Sequence, residues 1–331
     1  MARIEPVSPQ FIRQALAILA GPADLPAARA KARRLEGYLF GPSIVPDGST
    51  AQCGSAAQPC TLWWAQQAGG AAAVLIVHTV GRVGLVFHGC DGREAMHCLP
   101  ELLAEATTAA NARGLAFSQI MLEPHEQAVS ALAVQAGYER LAELVYLCRR
   151  LDGELDARSD GVEAPPPGRA GSALSWEQFQ SGQEERLAQI IDQTYVDSLD
   201  CPGLRGLRPT SDVVASHKAC GVFDPQQWWL PSFKGQSVGC ALVNRTGVDG
   251  RSAELVYIGV KPEFRQRGFG RAMLIHVMSQ AALKSVRTLY LAVDAANGPA
   301  WQLYNSQGFA EMDRRLVFIC RARDGGGTAF A

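Results

Sequence analysis

Residues 254–271 read Glu254-Leu255-Val256-Tyr257-Ile258-Gly259-Val260-Lys261-Pro262-Glu263-Phe264-Arg265-Gln266-Arg267-Gly268-Phe269-Gly270-Arg271. After Glu254 the run is aliphatic, β-branched and aromatic, as a strand requires, and Lys261-Pro262 ends it because proline has no ladder donor. From Arg271 onward, Ala272-Met273-Leu274-Ile275-His276-Val277-Met278 places apolar residues at helical spacing. Gly268 and Gly270 let main-chain N–H groups turn toward an anion, at a helix N-terminus whose dipole favours negative charge. The stretch therefore predicts strand, basic turn and helix, with a phosphorylated ligand held mainly by main chain and the arginines adding charge.

Spacing narrows the choice of ligand. A dinucleotide fingerprint has a small residue three positions after its second glycine, where this chain has Met273. A P-loop needs Lys and then Ser or Thr after its glycine, and Gly270 is followed by Arg271 and Ala272. What remains, Arg265-x-x-Gly268-x-Gly270 after a strand, resembles the phosphate loop of the GNAT superfamily of N-acetyltransferases. A second element of that family follows in order: the apolar run Leu289-Tyr290-Leu291-Ala292-Val293, then Asn297, Ala300, Leu303-Tyr304 and Gly308-Phe309. The resemblance covers roughly the C-terminal half and is strongest from Glu254 to Phe309.

The resemblance implies acetyl-CoA as co-substrate, no metal, and direct transfer of the acetyl group to an amine. By the same resemblance Ile258, Gly259 and Val260 pair with the pantetheine amides. The pyrophosphate falls to Arg265, Gln266, Arg267, Gly268, Phe269, Gly270 and Arg271. Asn297 meets the pantetheine arm, and Tyr304 is the general acid that protonates the departing sulfur. Two carboxylates compete as base: Glu254, which strand alternation puts on the face of Val256, Ile258 and Val260, and Asp294, directly after the second strand. Gly259, having no side chain, fits close approach of a ligand or an ordinary bulge. The acceptor pocket is expected from Tyr195 to Pro209, with Asp200, Cys201 and Arg205, and Trp228-Trp229 as a wall of which at least one ring is core.

At 331 residues, 47 % hydrophobic and 19 % charged, the chain is sized for two globular domains. A formal charge of −1 supplies no basic field for nucleic acid, no apolar run approaches a membrane span, and Met1 to Pro6 lacks a signal-peptide core. The expectation is a cytoplasmic protein. Nine cysteines without paired spacing fit reduced thiols, and His88, Cys90, His97 and Cys98 lack the spacing of a metal site.

Along the chain the patterns predict a strand and then a helix over 4–20, a helix over 25–38 and a loop over 41–59. Strands follow over 61–65, 71–78 and 83–88, a helix over 100–113, a strand over 117–122, a helix over 126–136 and a strand over 144–148. Asp152 to Gly171, with Pro165-Pro166-Pro167, reads as a linker. Then come a strand over 173–176, helices over 184–195 and 211–219 around a loop over 200–209, strands over 227–230 and 238–243, and a turn over 244–251.

The halves repeat one another: Gly137-Tyr138 leads to Val145-Tyr146-Leu147-Cys148-Arg149 as Gly308-Phe309 leads to Val317-Phe318-Ile319-Cys320-Arg321. Aligned on these glycines, Glu126 stands for Asn297 and Ala133 for Tyr304, and His88 to Arg93 has no phosphate loop. The fold expected is α/β (α+β), two tandem GNAT-like domains, each a mixed, mostly antiparallel sheet flanked by helices. Residues 1–150 form a degenerate, non-catalytic copy, 151–172 a Pro/Gly-rich linker and 173–325 the acetyl-CoA-binding domain. The tandem arrangement is similar to that of the mycothiol synthase family. A small-molecule amine is the favoured acceptor, with a protein amine, a non-catalytic acyl-CoA-sensing module and a nucleotide-binding oxidoreductase as alternatives.

Overall fold

The computed structural model describes residues 3–7, 11–20, 60–66, 72–80, 82–151, 174–247 and 250–322. The expected helix over 25–38, the loop over 41–59 and the linker over 152–171 lie outside the described residues. The chain divides into two compact units, Met1–Leu141 with Arg315–Ala331, and Ala142–Arg314.

The first unit contains β1 (Arg3–Pro6), α1 (Ile12–Ala20), β2 (Cys60–Gln66), β3 (Ala72–Val80), β4 (Val83–Cys90), α2 (Gly92–Met96), α3 (Leu99–Ala112), β5 (Phe117–Leu122) and α4 (Gln127–Gln135). Strands β1 to β5 pair in sequence order, antiparallel except for β4 and β5, which run parallel. Beyond β5 the sheet takes in the end of the chain's last strand, Leu316 to Arg321. Leu99, Leu102, Leu103 and Ala106 come from one face of α3 and close the core on Leu75, Ile120 and Leu122.

The second unit starts within β6 (Glu139–Arg150) and contains β7 (Leu174–Gln178), α5 (Glu184–Tyr195), α6 (Thr210–Ala219), β8 (Trp228–Phe233), β9 (Gln236–Ser237), β10 (Gly239–Thr246), β11 (Ser252–Val260), α7 (Phe269–Leu283), β12 (Thr288–Asp294), α8 (Gly298–Ser306) and the start of β13 (Ala310–Arg321). Its strand order is β6-β12-β11-β10-β8-β7, with β9 on β8, and only β11 and β12 are parallel. One face of the sheet is covered by Leu187, Ile190 and Ile191 of α5 with Val214 of α6. The other is covered by Met273, Leu274, Val277 and Met278 of α7. Each such side chain contributes on the order of 1.5–3 kcal/mol of burial.

One expectation is corrected here. Residues 244–246 continue β10 and only the segment after Thr246 turns, because Asn244 to Thr246 still pair with Glu254 to Ser252. The sequence boundaries at 150 and 173 are not where the compact units divide. Leu144 to Arg150 of β6 pair with β12 in the second unit, while Leu316 to Arg321 pair with β5 in the first. Val145 and Leu147 fill the second unit's core, as Phe318 fills that of the first.

Candidate active site

The site grows from a break in register. Between Leu242 and Val243 of β10 the partner strand shifts, Leu242 facing Tyr257 and Val243 facing Leu255, so that Val256 is the extra residue of a bulge. At the same point β11 parts from β12. The two strands pair only at Ser252, Ala253 and Glu254, opposite Thr288, Leu289 and Tyr290, although β11 continues to Val260 and β12 to Asp294. From Leu255 to Val260 the edge of β11 facing β12 therefore carries main-chain groups without a ladder partner from that strand, and Val256 to Val260 are only half-buried in the middle of a sheet.

The bulge reverses the side-chain alternation. Leu255 before it, and Ile258 and Val260 after it, pack on the α7 side, whereas Val256 and Tyr257 pack on the α5 side. Glu254 alternates with Leu255 and so shares the face of Val256 and Tyr257, not that of Ile258 and Val260; the expected common face is corrected by the extra residue. Gly259 has a packing reason of its own. A Cβ there would lie 2.6 Å from Thr194 Oγ1 and 2.8 Å from both Thr194 Cβ and Tyr257 Oη. Thr194 donates to Ile191 O (2.7 Å), so the 2.6 Å contact to Tyr257 is donated by the phenol.

Past Val260 the chain makes a short 3₁₀ turn at Pro262–Phe264, passes Gln266 at φ 57° and Gly268 at φ 80°, and enters α7. The first helical bond runs from Ala272 N to Gly268 O (3.0 Å), leaving the N–H groups of Phe269, Gly270 and Arg271 ahead of the ladder. A Cβ on Gly270 would meet Leu303 at 3.6 Å and Val260 at 3.7 Å, ordinary contacts that place this turn beside both β11 and α8.

The side chains of the basic turn have separate tasks. Arg265 serves the main chain: it donates to Val260 O (3.0 Å), Asp197 O (3.0 Å) and Thr194 O (2.8 Å), tying the C-terminus of α5 to the turn. Arg267 donates to Glu263 O (3.2 Å) and lies over the rings of Phe233, Phe264 and Phe269, at 5.4–5.8 Å. The ring of Phe269 is core, packed on Phe233 and Phe264. Arg271 has a buried Nε without a partner.

On the far wall, Asn297 caps α8, its Oδ1 accepting from Ala300 N at 3.3 Å. Tyr304, two turns on, is 5 % exposed and packs against Phe309 with ring centroids 5.8 Å apart. Its hydroxyl makes no hydrogen bond among the described residues. Burial, and then the charge of Asp200, raise its pKa above the ordinary phenol value.

The two carboxylates differ in environment. Asp294 is 4 % exposed, and both of its oxygens are occupied, Oδ2 by Cys201 N (3.1 Å) and Oδ1 by Ala296 N (2.9 Å). It clamps the segment after α5, where Cys201 sits at φ 43°. Glu254 is half-buried, and desolvation raises its pKa. Asp200, which sequence reasoning named only as a pocket residue, is drawn into this region. Crowding by surrounding protein first, and the Asp294 charge as well, raise the pKa of its carboxyl, although the residue as a whole is exposed.

Trp228 and Trp229 are both core, on opposite faces, so neither walls a pocket. Trp228 donates from Nε1 to Asn244 Oδ1 (2.8 Å), and Trp229 packs edge-on to His276. In the first unit Glu126 stands at the cap position of α4, Ala133 is fully buried, and Gly137 takes φ 90° where Gly308 takes φ 72°. There β4 runs almost directly into α2, with Cys90 and Asp91 where the second unit has its basic turn. His88 contacts Glu126 (3.2 Å), and no group of three metal-binding side chains forms among the described residues. Nor is any described helix long and apolar enough to cross a membrane.

The profile of the Acetyltransferase (GNAT) family matches residues 193–309, the segment from α5 through α8. Those residues form a GNAT acetyltransferase domain. Relatives of this GNAT domain include the ribosomal protein bS18-alanine N-acetyltransferase of Salmonella typhimurium, 44 % identical over 71 residues, 22 % of this chain and 48 % of that protein. Another is the mycothiol acetyltransferase of Streptomyces bingchenggensis, 31 % identical over 96 residues, 29 % of this chain and 31 % of that protein. The chain spans less than half the length of the relatives it matches. Among solved structures, a GCN5-related N-acetyltransferase from Sphaerobacter thermophilus aligns over 100 % of this chain and 98 % of its own, with a TM-score of 0.62 at 18 % identity. A tandem GNAT protein from the clavulanic acid biosynthesis pathway aligns over 98 % and 100 %, with a TM-score of 0.50 at 16 % identity. The GNAT fold thus extends beyond the matched segment.

Proposed function

We propose that the protein is an N-acetyltransferase whose second unit takes acetyl-CoA in the gap between β11 and β12 and passes the acetyl group directly to a primary amine. The observation that carries this is the parting of two central strands beside a helix N-terminus with unladdered N–H groups. Main-chain groups of Ile258 and Gly259, with the N–H of Val260, whose carbonyl accepts from Arg265, would hold the pantetheine amides, and the N–H groups of Phe269, Gly270 and Arg271 the pyrophosphate. The orphaned Nε of Arg271 fits an anion there, whereas Arg265 and Arg267 act by shaping the turn. Asn297 keeps its Nδ2 for the arm, its Oδ1 being used as a cap.

Acetyl-CoA supplies an activated thioester carbonyl. Glu254 removes the proton of the amine, through water, as the new N–C bond forms; the upward shift of its pKa suits a base. Tyr304 gives its proton to the departing sulfur as the C–S bond breaks. Asp294 positions the acceptor segment, because both its oxygens are already engaged.

A small-molecule amine is the favoured acceptor. Similarity to the bS18-alanine N-acetyltransferase supports a protein N-terminus as the second reading. Release of CoA thiol in the presence of acetyl-CoA and a panel of amines and N-terminal peptides tests the activity. No release with any acceptor, by protein that binds acetyl-CoA, would leave a sensing module.

A further inference from the structure

Arg208, just before α6, makes fewer hydrogen bonds than Arg245, Arg265 and Arg314 of the same unit. Arg245 donates to Gly250 O and Lys284 O, Arg265 to three carbonyls, and Arg314 to Glu311 and Glu143. Arg208 donates once, from Nη1 to the hydroxyl of Ser216 (2.6 Å), which itself donates to Asp212 O (2.9 Å). A guanidinium has five donors, and no carboxylate lies within ion-pair distance of this one among the described residues. Burial lowers its pKa, against the raising effect of Tyr195, Asp212 and Cys220.

Its surroundings belong to the α5 and α6 face of β11. His217 lies 5.5 Å from the Tyr257 ring, and Tyr195 stands edge-on to Tyr257 at 5.9 Å. His217 is held neutral, with its pKa pushed down to about 4 by burial and then by Arg208, and its buried Nε2 has no partner. Tyr195 and Tyr257 are kept protonated by burial. The charges acting nearby are those of Asp212 and Glu254. Asp212 acts on Arg208 from the first turn of α6, and the Cys220 thiol feels both Glu254 and Arg208. A cation with a single side-chain partner thus stands at the entry of α6, and the far end of that helix meets Asn244, which donates to His217 O and Cys220 O (both 2.6 Å) and pairs with Glu254, the carboxylate assigned to the amine.

We propose that Arg208 binds an anionic group of the acceptor, so that the substrate is an amine that also bears a carboxylate. This rests on the acetyltransferase reading above. The free donors of Arg208 would take the carboxylate in a forked pair, which orients the amine toward Glu254.

The test is CoA release at saturating acetyl-CoA with matched acceptors, α-amino acids against their carboxamides and γ-aminobutyrate against its amide. Wild type, Arg208→Gln and Arg208→Ala are compared, and melting temperatures confirm folding. Arg208→Gln retains a donor for Ser216. The expected result is an acid-over-amide preference of about tenfold or more in kcat/KM, lost in Arg208→Gln through KM while turnover of the amides is retained. Equal use of acids and amides by wild type, or equal losses on both in the variant, would overturn the proposal. Acetyl-CoA affinity, measured on the same preparations, separates the two levels. Retained affinity without acid preference overturns only the role of Arg208, whereas absent affinity overturns the acetyltransferase reading.

Discussion

Replacing Tyr304 by Phe removes one oxygen from a buried ring, and the surroundings of that oxygen fix what should follow. The hydroxyl has no hydrogen-bond partner among the described residues, so its loss leaves no orphan donor or acceptor, and the ring keeps its contact with Phe309. The stability change should lie within about 0.5 kcal/mol, a shift of roughly 2 °C or less for a unit of this size. Catalysis should respond very differently. A positioned general acid is worth about 10²- to 10⁴-fold, or roughly 2.7–5.4 kcal/mol of barrier. The assay is kcat by CoA release, with acetyl-CoA affinity and melting temperature measured alongside. The expected outcome is a loss of 100-fold or more in kcat, estimated as about the lower limit for a general acid, with affinity and melting unchanged. Because burial and Asp200 raise the phenol, it stays protonated through neutral and mildly alkaline pH, so wild type should show no alkaline fall in rate from this group below about pH 10. Wild-type kcat in the variant would refute the assignment, as would a loss matched by weaker acetyl-CoA binding.

Glu254→Gln should separate stability from activity by pH. A carboxyl whose folded pKa is raised stabilises the fold below its unfolded value and loses that contribution as pH rises through the folded value. The variant should therefore melt above wild type at pH 7–8, with the difference closing toward pH 4, while its kcat/KM at neutral pH falls; a lower melting temperature at pH 7 would contradict the desolvated environment. Asp294→Ala should behave as a structural lesion, because two charge-assisted bonds to main-chain N–H groups disappear from a site 4 % exposed. A loss of about 3 kcal/mol or more is expected, read as a melting temperature lower by roughly 6 °C or more, with faster amide exchange at Cys201. Full stability with activity abolished would return Asp294 to the role of base.

The strand, basic turn and helix at residues 252–283 were legible because their signals are local: β-branched residues, a proline stop, two glycines and helical apolar spacing. So was Asn297 before α8, a cap that any helix can use. The bulge at Val256 was not, since it exists only in the pairing of β10 with β11, and one extra residue there moved Glu254 to the face opposite Ile258 and Val260. The partners of Arg265 were hidden for a related reason. Thr194 and Asp197 stand some seventy positions away, and nothing local distinguishes an arginine that caps a helix from one that meets phosphate. Val145 and Leu147 show the same limit at the scale of a sheet, because an apolar alternation says that a strand has a buried face and not which unit buries it. Asp200 and Arg208 carry no motif at all; packing alone makes them conspicuous.

The most direct test of the acetyl-CoA site is calorimetric titration of acetyl-CoA into wild type and Gly270→Glu, with NADH and ATP as controls. Position 270 has room for a Cβ, and a carboxylate in the first turn of α7 complements the helix dipole, so the variant should melt at or slightly above wild type. Its added charge would stand where the pyrophosphate is expected. Binding by wild type, lost in the variant and not seen with NADH or ATP, is the predicted result. No binding by wild type, or equal binding by the folded variant, would contradict a phosphate site at the start of α7.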